Sequence, residues 1–146
     1  MRFLLDTNIL SEPTRKQPDA GVVAGLERHE KESCTAAPVI HEMVYGIERM
    51  EPGRRREMLA AYVARVLAVP FPVLSYDSEA ARWHARERAR LERLGRTAAF
   101  VDGQIAAIAA VQGLVLVTRN VRQFEIFELD IDNWFGSGPD VTPSVT

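Results

Sequence analysis

The feature that most restricts the fold is an alternation between short apolar runs and longer segments with apolar residues at helical spacing. The apolar runs, such as RFLL (2–5) and LVLVT (114–118), have the length of strands. Short apolar strands that alternate with helices are typical of a parallel sheet that helices cover on both faces. The sequence therefore predicts an α/β fold with a parallel sheet at its centre.

The turn residues between these segments give approximate bounds for five strands and five helices. The predicted strands are 2–5, 33–37, 72–76, 114–118 and a fifth near 129–131. The predicted helices are one that ends near Glu30, then 38–50, 54–69, one capped by Asp77 or Ser78 and ended by Gly95, and 101–112. No repeat or linker divides the chain. Residues 136–146 (GSGPDVTPSVT) have no core-forming pattern, and we expect them to form a disordered tail.

Polar residues stand where two of the predicted strands end. Asp6 follows the first strand, and Thr118 to Asn120 follow the fourth. In open parallel sheets, ligands bind outside the carboxyl ends of the strands. Each polar residue also has a purely structural interpretation, because Asp caps helices and turns well. The position of Asp6 therefore leaves two roles open, a helix cap or a member of a ligand site.

Two further acids border apolar helix faces. Glu42 lies one turn from Gly46, beside an apolar stripe, and Asp102 lies one turn before Ile105 on an almost wholly apolar helix. Glu42 can also reach solvent, and Asp102 can also act as a capping acid. No lysine is close in sequence to any of the three acids. Like charges that are held together require a neutralising cation.

The ligand chemistry of these acids predicts the kind of cation. Carboxylate oxygens without a histidine or cysteine cluster favour Mg²⁺ or Mn²⁺ over zinc. The three histidines, His29, His41 and His84, share no metal-ligand spacing. The single cysteine, Cys34, excludes an internal disulfide, so we expect a cytoplasmic location. The longest apolar stretch is far shorter than the roughly 20 residues that span a bilayer, so no membrane role is expected.

The 146 residues carry a net charge of −2, so the chain as a whole does not indicate nucleic-acid binding. Its basic residues are unevenly distributed, because 16 of the 18 are arginines and two groups of them cluster in the sequence. One cluster is 54–56; the other extends from Arg82 to Arg96, with only Glu87 and Glu92 as acids against it. These clusters are either solvated helix faces or surfaces that contact phosphate.

Four ordered blocks resemble the PIN-domain endoribonucleases, in particular the VapC-type toxins of bacterial toxin–antitoxin modules. The blocks are LLDTNIL (4–10), VIHEMVYGIER (39–49), GRTAAFVDGQIAAIA (95–109) and LVLVTRNVRQFEIF (114–127). A closing segment, LDIDNWF, is similar to the family's terminal strand but lacks the proline that often precedes the tryptophan. The resemblance covers residues 1–135, which we predict to be one PIN domain.

The resemblance implies a three-layer α/β/α fold with Asp6, Glu42 and Asp102 as the catalytic, metal-binding acids. It also implies that Asn8 and Thr118 support them. Asn120 stands where the family commonly has a fourth acid, and the neighbouring position that can be acidic is Gln123. Because both are neutral amides, Asn120 would supply at most a carbonyl oxygen to the metal, and the number of metal ions stays open.

The resemblance further implies hydrolysis of RNA phosphodiester bonds with Mg²⁺ or Mn²⁺, a homodimer, and inhibition by a cognate VapB-type antitoxin. Arg96 and Arg119 would bind the RNA, offsetting the repulsion between phosphate and acids. Two alternatives remain at this level. One is a PIN-like RNA or protein interaction module with weak catalysis, which Asn120 favours. The other is a phospho-accepting receiver domain, although the chain has no lysine after its last core strands.

Overall fold

The computed structural model describes residues 1–136 of the chain, and the predicted disordered tail lies, except for Gly136, outside these residues. Within them, five strands alternate with helices. The strands are β1 (Phe3–Leu5), β2 (Ser33–Ala36), β3 (Val73–Leu74), β4 (Val115–Val117) and β5 (Ile131–Asp132). The helices are α1 (Thr7–Leu10), α2 (Ala20–Arg28), α3 (Ala37–Glu48), α4 (Arg54–Ala68), α5 (Ser78–Arg93), α6 (Phe100–Val111) and α7 (Val121–Phe124).

The strands form one parallel sheet in the order β3-β2-β1-β4-β5. Helices flank the sheet in a three-layer α/β/α arrangement, which confirms the expected fold class. Strand β1 is central and buried along its whole length, because β2 and β4 pair with it on either side. The carboxyl ends of β1 and β4 therefore meet at one edge of the sheet.

The helix ends agree with the local sequence signals. Asp77 caps α5, its carboxylate accepting a hydrogen bond from the Ala80 amide at 2.9 Å. Gly95 follows this helix with φ +70°, and Gly113 follows α6 with φ +66°. Only glycine adopts this left-handed conformation without strain, so each glycine ends its helix. No helix within residues 1–136 is both long enough and apolar enough to cross a membrane.

Four elements differ from the sequence-based expectation. Strand β3 has two residues instead of the predicted five, since it lies at an edge of the sheet and Val73 is exposed. The fifth strand is centred two residues later than predicted, at Ile131–Asp132. Two four-residue helices, α1 and α7, were not predicted, because one turn is too short to show helical periodicity.

Candidate active site

The register of the sheet brings the ends of β1 and β4 together. Leu5 pairs with Val117, so the next residues along the chain, Asp6 and Thr118, lie side by side. The Asp6 amide continues the ladder by donating to the Val117 carbonyl at 3.0 Å. The two quoted strands of the sequence therefore deliver their first polar side chains to the same point.

Asp6 is almost fully buried, with 5% of its surface exposed, and both of its carboxylate oxygens accept hydrogen bonds. Oδ1 accepts from the Thr7 amide at 2.8 Å, so Asp6 does cap α1. Oδ2 accepts from the Thr118 hydroxyl at 2.8 Å and from the Asn8 side-chain amide at 3.4 Å. Capping and membership of a polar site are therefore not alternatives for this residue.

Asn8 and Thr118 hold the loops on either side of Asp6. The Asn8 carbonyl oxygen accepts from the Arg119 amide at 2.9 Å, which ties the start of α1 to the end of β4. The Thr118 hydroxyl accepts from the Asn120 amide at 3.0 Å while it donates to Asp6. Thr118 is fully buried. These bonds fix the orientation of the Asp6 carboxylate before any ligand arrives.

Electrostatics sets Asp6 apart from an ordinary capping residue. Burial raises the pKa of the Asp6 carboxyl above its usual value, and this effect exceeds the opposing hydrogen bonds from Thr118, Thr7 and Asn8. Burial without a compensating positive charge disfavours an ionised carboxylate. Among the ion pairs within residues 1–136, none involves Asp6.

Glu42 and Asp102 lie within electrostatic range of Asp6. Glu42 is on α3 with an exposed side chain, and Asp102 is half-buried in the first turn of α6. Partial desolvation by the surrounding protein raises the pKa of Glu42 although much of the side chain is exposed, and repulsion from Asp6 and Asp102 raises it further. Burial also raises the pKa of Asp102, and repulsion from Asp6 adds to it. The fold therefore gathers three acids whose charges oppose one another.

The three carboxylates are close enough to repel, but their side chains do not converge on one point. Within residues 1–136, no three histidine, cysteine, aspartate or glutamate side chains lie close enough together to hold one metal ion. The donor chemistry nevertheless fits a hard divalent cation, because all three groups offer carboxylate oxygens. The exposed Glu42 side chain is the one with freedom to turn towards the other two.

The remaining predicted residues lie around this acidic group. Asn120 is exposed, and it lines a shallow cleft together with Arg119 and Gln123. The Arg119 guanidinium lies over the Phe135 ring, 4.6 Å from its centroid. Arg96 is exposed in the loop before α6, where it lines a separate cavity. The metal role of Asn120 and the RNA-binding roles of the two arginines stay predictions.

One buried acid at the same sheet edge was not singled out from the sequence. Asp132 ends β5, as Asp6 ends β1, so the strand-end signal was present in LDIDNWF. Burial raises the pKa of Asp132, while its hydrogen bond from the Asn133 amide and nearby Trp134 and His29 lower it. Because these neighbours belong to a different part of the core, Asp132 does not join the acidic group around Asp6.

Comparisons with known proteins identify the family of the chain. The sequence profile of the PIN domain matches residues 3–128. The tRNA(fMet)-specific endonuclease VapC of Shigella flexneri is 32% identical over 136 residues, which cover 92% of this chain and 98% of that protein. The VapC ribonuclease Y4jK of Sinorhizobium fredii is 34% identical over 141 residues, which cover 90% and 96% of the two chains.

The fold gives the same result. The chain is similar to the crystal structure of DNA-bound VapBC from Salmonella typhimurium, with a TM-score of 0.77 and 30% identity over 92% of this chain and 98% of that one. The receiver-domain alternative is therefore wrong, and the resemblance seen in the four sequence blocks is confirmed. The chain belongs to the PIN-domain family, within its VapC-type group.

Proposed function

We propose that this protein is a metal-dependent endoribonuclease that hydrolyses RNA phosphodiester bonds and acts as the toxin of a toxin–antitoxin pair. The observation that carries the proposal is the group of Asp6, Glu42 and Asp102. Their mutual repulsion is unfavourable for the protein alone, and a bound cation would relieve it. The similarity to an endonuclease and a ribonuclease of the VapC type supports RNA as the substrate.

The residues suited to hold Mg²⁺ or Mn²⁺ are Asp6, Glu42 and Asp102, with Asn120 as a possible neutral oxygen donor. A divalent ion held by these residues would activate water and neutralise charge on a phosphate group. Holding one ion would require these side chains to come closer together, and Glu42 is the most free to move because its side chain is exposed. The metal is thus expected to order the site as well as to act in it.

The other residues of the site have positioning and charge-balancing roles in this proposal. Thr118 and Asn8 keep Asp6 oriented through the hydrogen bonds to its Oδ2 atom. Arg119, directly after Thr118, and Arg96, in the loop before α6, would supply positive charge that lowers the repulsion an incoming phosphate meets. Single-stranded or looped RNA suits such a site, because its backbone is accessible from several directions.

The proposed partners are a VapB-type antitoxin and a second copy of the chain. Two large apolar side chains, Tyr45 on α3 and Met58 on α4, are more than half exposed. Exposed apolar side chains beside a groove suit an amphipathic helix from a partner. An antitoxin that places a cation among the three acids would compete with the metal for their charge.

We also propose that the protein works in the cytoplasm. Its single cysteine, Cys34, is a buried free thiol in β2. Burial raises the pKa of this thiol to about 11, so it remains protonated and unreactive near neutral pH. A chain without disulfides is suited to a reducing compartment.

A cleavage assay on purified protein distinguishes this proposal from a non-catalytic interaction module. We expect single-stranded RNA to be cut with Mg²⁺ or Mn²⁺ and to remain intact with a chelator. Asp102→Asn should abolish cutting. Asp130→Asn is the matched control, because Asp130 is exposed and precedes β5 at the opposite edge of the sheet. RNA that remains whole with wild type and metal would leave the interaction module as the correct function.

A further inference from the structure

A cavity of about 130 Å³ opens between α5 and the loop that leads into α6, and the proposed mechanism uses only one of its lining residues, Arg96. Six of its lining residues are polar, charged or aromatic, which are the side-chain types that contact nucleotides: His84, Arg88, Glu92, Arg96, Thr97 and Phe100. His84, Arg88 and Glu92 lie on successive turns of α5. Arg96 and Thr97 lie in the loop before α6, and Phe100 is the first residue of that helix. The cavity is therefore built by the packing of these two segments.

The back of the cavity is rigid. His84 is buried, and its Nδ1 atom is 2.8 Å from the Tyr76 hydroxyl. Its ring lies directly against the α6 backbone at Gly103, so closely that a Cβ atom at this position would overlap the ring. Burial and the nearby Arg88 lower the pKa of His84, so the ring is neutral near physiological pH.

The opening of the cavity carries an exposed aromatic ring. Phe100 is 52% exposed, which is unusual for a large apolar side chain, and it packs on His84 with ring centroids 4.7 Å apart. The Arg88 guanidinium lies 5.5 Å from the Phe100 centroid. Unpaired bases stack on such aromatic rings and on the planar guanidinium of arginine.

The charges around the opening suit a nucleotide better than an apolar segment. Arg88 forms an ion pair with Glu92, with 3.7 Å between Arg88 Nε and Glu92 Oε1. Arg96 takes part in none of the side-chain ion pairs within residues 1–136, so its guanidinium remains available to a phosphate. The Glu92 carboxylate and the Thr97 hydroxyl add polar groups that can meet a base edge.

The cavity is also near the acids. Phe100 and Asp102 are both in the first turn of α6, separated by about 3 Å along the helix axis. They project to different sides of the helix, since two residues correspond to more than half a turn. A single strand that passes over the end of α6 can therefore place one residue's phosphate at the acids and a nearby base in the cavity.

We propose that this cavity binds one unpaired base of the RNA, stacked on Phe100 and Arg88, with a flanking phosphate on Arg96. The inference rests on the proposed ribonuclease function and specifies it. It makes the cavity a subsite for a nucleotide close to the cleaved bond. Recognition of that base would give the enzyme a sequence preference that the acids themselves cannot supply.

The test measures the affinity of single-stranded RNA hexamers, followed by fluorescence anisotropy, for Asp102→Asn protein with and without a second substitution. Phe100→Leu removes the ring face but keeps apolar volume at an exposed position. We expect it to weaken binding roughly 5- to 100-fold, which corresponds to one lost base stack. Arg96→Ala should also weaken binding, whereas the matched control Arg93→Ala, on the same helix end but outside the cavity, should not.

Hexamers that lack one base, with the abasic position moved along the strand, identify the stacked base. A hexamer that lacks the stacked base should bind weakly to the parent protein, and Phe100→Leu should not lower its affinity further. Equal affinities of the Phe100→Leu and parent proteins for intact hexamers would overturn the inference. A second outcome would also overturn the inference. If light scattering shows that Phe100→Leu turns a dimer into a monomer while RNA affinity is unchanged, the cavity contacts a second copy of the chain.

Cleavage by the protein with Asp102 intact separates this inference from the proposed function. If wild type cuts RNA and Phe100→Leu cuts the same sites at the same rate, the ribonuclease function stands and the subsite is wrong. If wild type cuts no RNA but hexamer binding depends on Phe100 and on one base, the nucleotide site stands and the catalytic proposal fails. Folding of each variant is checked by its thermal unfolding transition.

Discussion

Two buried acids in this chain have opposite surroundings. Glu87 on α5 is 8% exposed and Asp6 is 5% exposed, so burial alone does not distinguish them. Glu87 accepts two hydrogen bonds from the Arg90 guanidinium, at 2.9 and 2.8 Å, and one from the Glu128 amide at 3.3 Å. Asp6 has only neutral hydrogen-bond donors, and its charge repels those of Glu42 and Asp102.

The pKa values follow these surroundings. The hydrogen bonds from Arg90 lower the pKa of Glu87 in spite of its burial, whereas burial raises the pKa of Asp6 in spite of its hydrogen bonds. Arg90 also donates to the Ile126 carbonyl at 2.8 Å, so the pair fastens α5 to the segment after α7. Glu87 thus stabilises the fold, whereas burial and mutual repulsion make the charges of the acids around Asp6 unfavourable for it. Acids with raised pKa values and no cationic partner are typical of functional sites.

The largest expected effect comes from removing the hydrogen bond by which Thr118 orients the Asp6 carboxylate. Thr118→Val removes the hydroxyl that donates to Asp6 Oδ2 and should lower the rate of RNA cleavage roughly 10- to 100-fold, as loss of a group that orients a metal ligand does. Thr7→Val is the matched control, because the buried Thr7 hydroxyl has no hydrogen-bond partner in the described chain. Single-turnover cleavage rates measure both. Equal rates for the two variants would contradict the positioning role of Thr118.

The second prediction concerns the effect of Mg²⁺ on the stability of the protein. At a Mg²⁺ concentration one hundred times its Kd, the free energy of unfolding should rise by about 2.7 kcal/mol, since the ion binds only the folded protein. Asp102→Asn should remove most of this increase, and Glu87→Gln should keep it. Urea unfolding with and without Mg²⁺ gives the values. An increase of the same size in Asp102→Asn would place the ion elsewhere.

The third prediction compares the two regions directly in the presence of a chelator. Glu87→Gln should lower the free energy of unfolding by about 1–3 kcal/mol, because Arg90 loses a charged acceptor. Asp102→Asn should raise it, because one of three repelling charges is removed. Urea unfolding at neutral pH measures both changes. The distinction between the two regions fails if both substitutions change stability in the same direction.

The smallest expected effect is the pH dependence of these two changes. Acids with raised pKa values destabilise the folded state most when they are ionised, so the advantage of Asp102→Asn should shrink as pH falls towards the usual aspartate value of 3.8. The lowered pKa of Glu87 contributes stability above its usual value of 4.5, and this contribution is lost as pH falls below it. Chelator-treated wild type and variants, unfolded between pH 7 and pH 4, provide the comparison. An advantage of Asp102→Asn that grows on acidification would contradict the sign.

The order of strands and helices could be read from the sequence, because it depends on local signals. Apolar runs of strand length gave β1, β2 and β4 within one or two residues at each end. Caps such as Asp77 and glycines such as Gly95 and Gly113 act within one helical turn, so they also mark ends in the sequence. Elements of two to four residues have too little length for periodicity, which is why α1 and α7 were missed.

The acids of the candidate site were also visible in the sequence, although their surroundings were not. Asp6 ends a strand and Asp102 begins an apolar helix, and both positions can be recognised from neighbouring residues. The arginine-rich helix shows the limit of that approach. Its sequence suggests a charged solvent face, yet it also contains the Glu87–Arg90 pair and the back wall of the Phe100 cavity.

The sequence alone determined which segments are strands and helices and which acids stand at their ends, since those properties depend on residues a few positions apart. Only the tertiary structure decided which side chains meet. The bond between Asp6 and Thr118 joins residues 112 positions apart, and it exists because β4 pairs with β1 in one register. Whether a buried acid meets arginine, as Glu87 does, or other acids, as Asp6 does, depends in the same way on the strand order and helix packing of the whole chain.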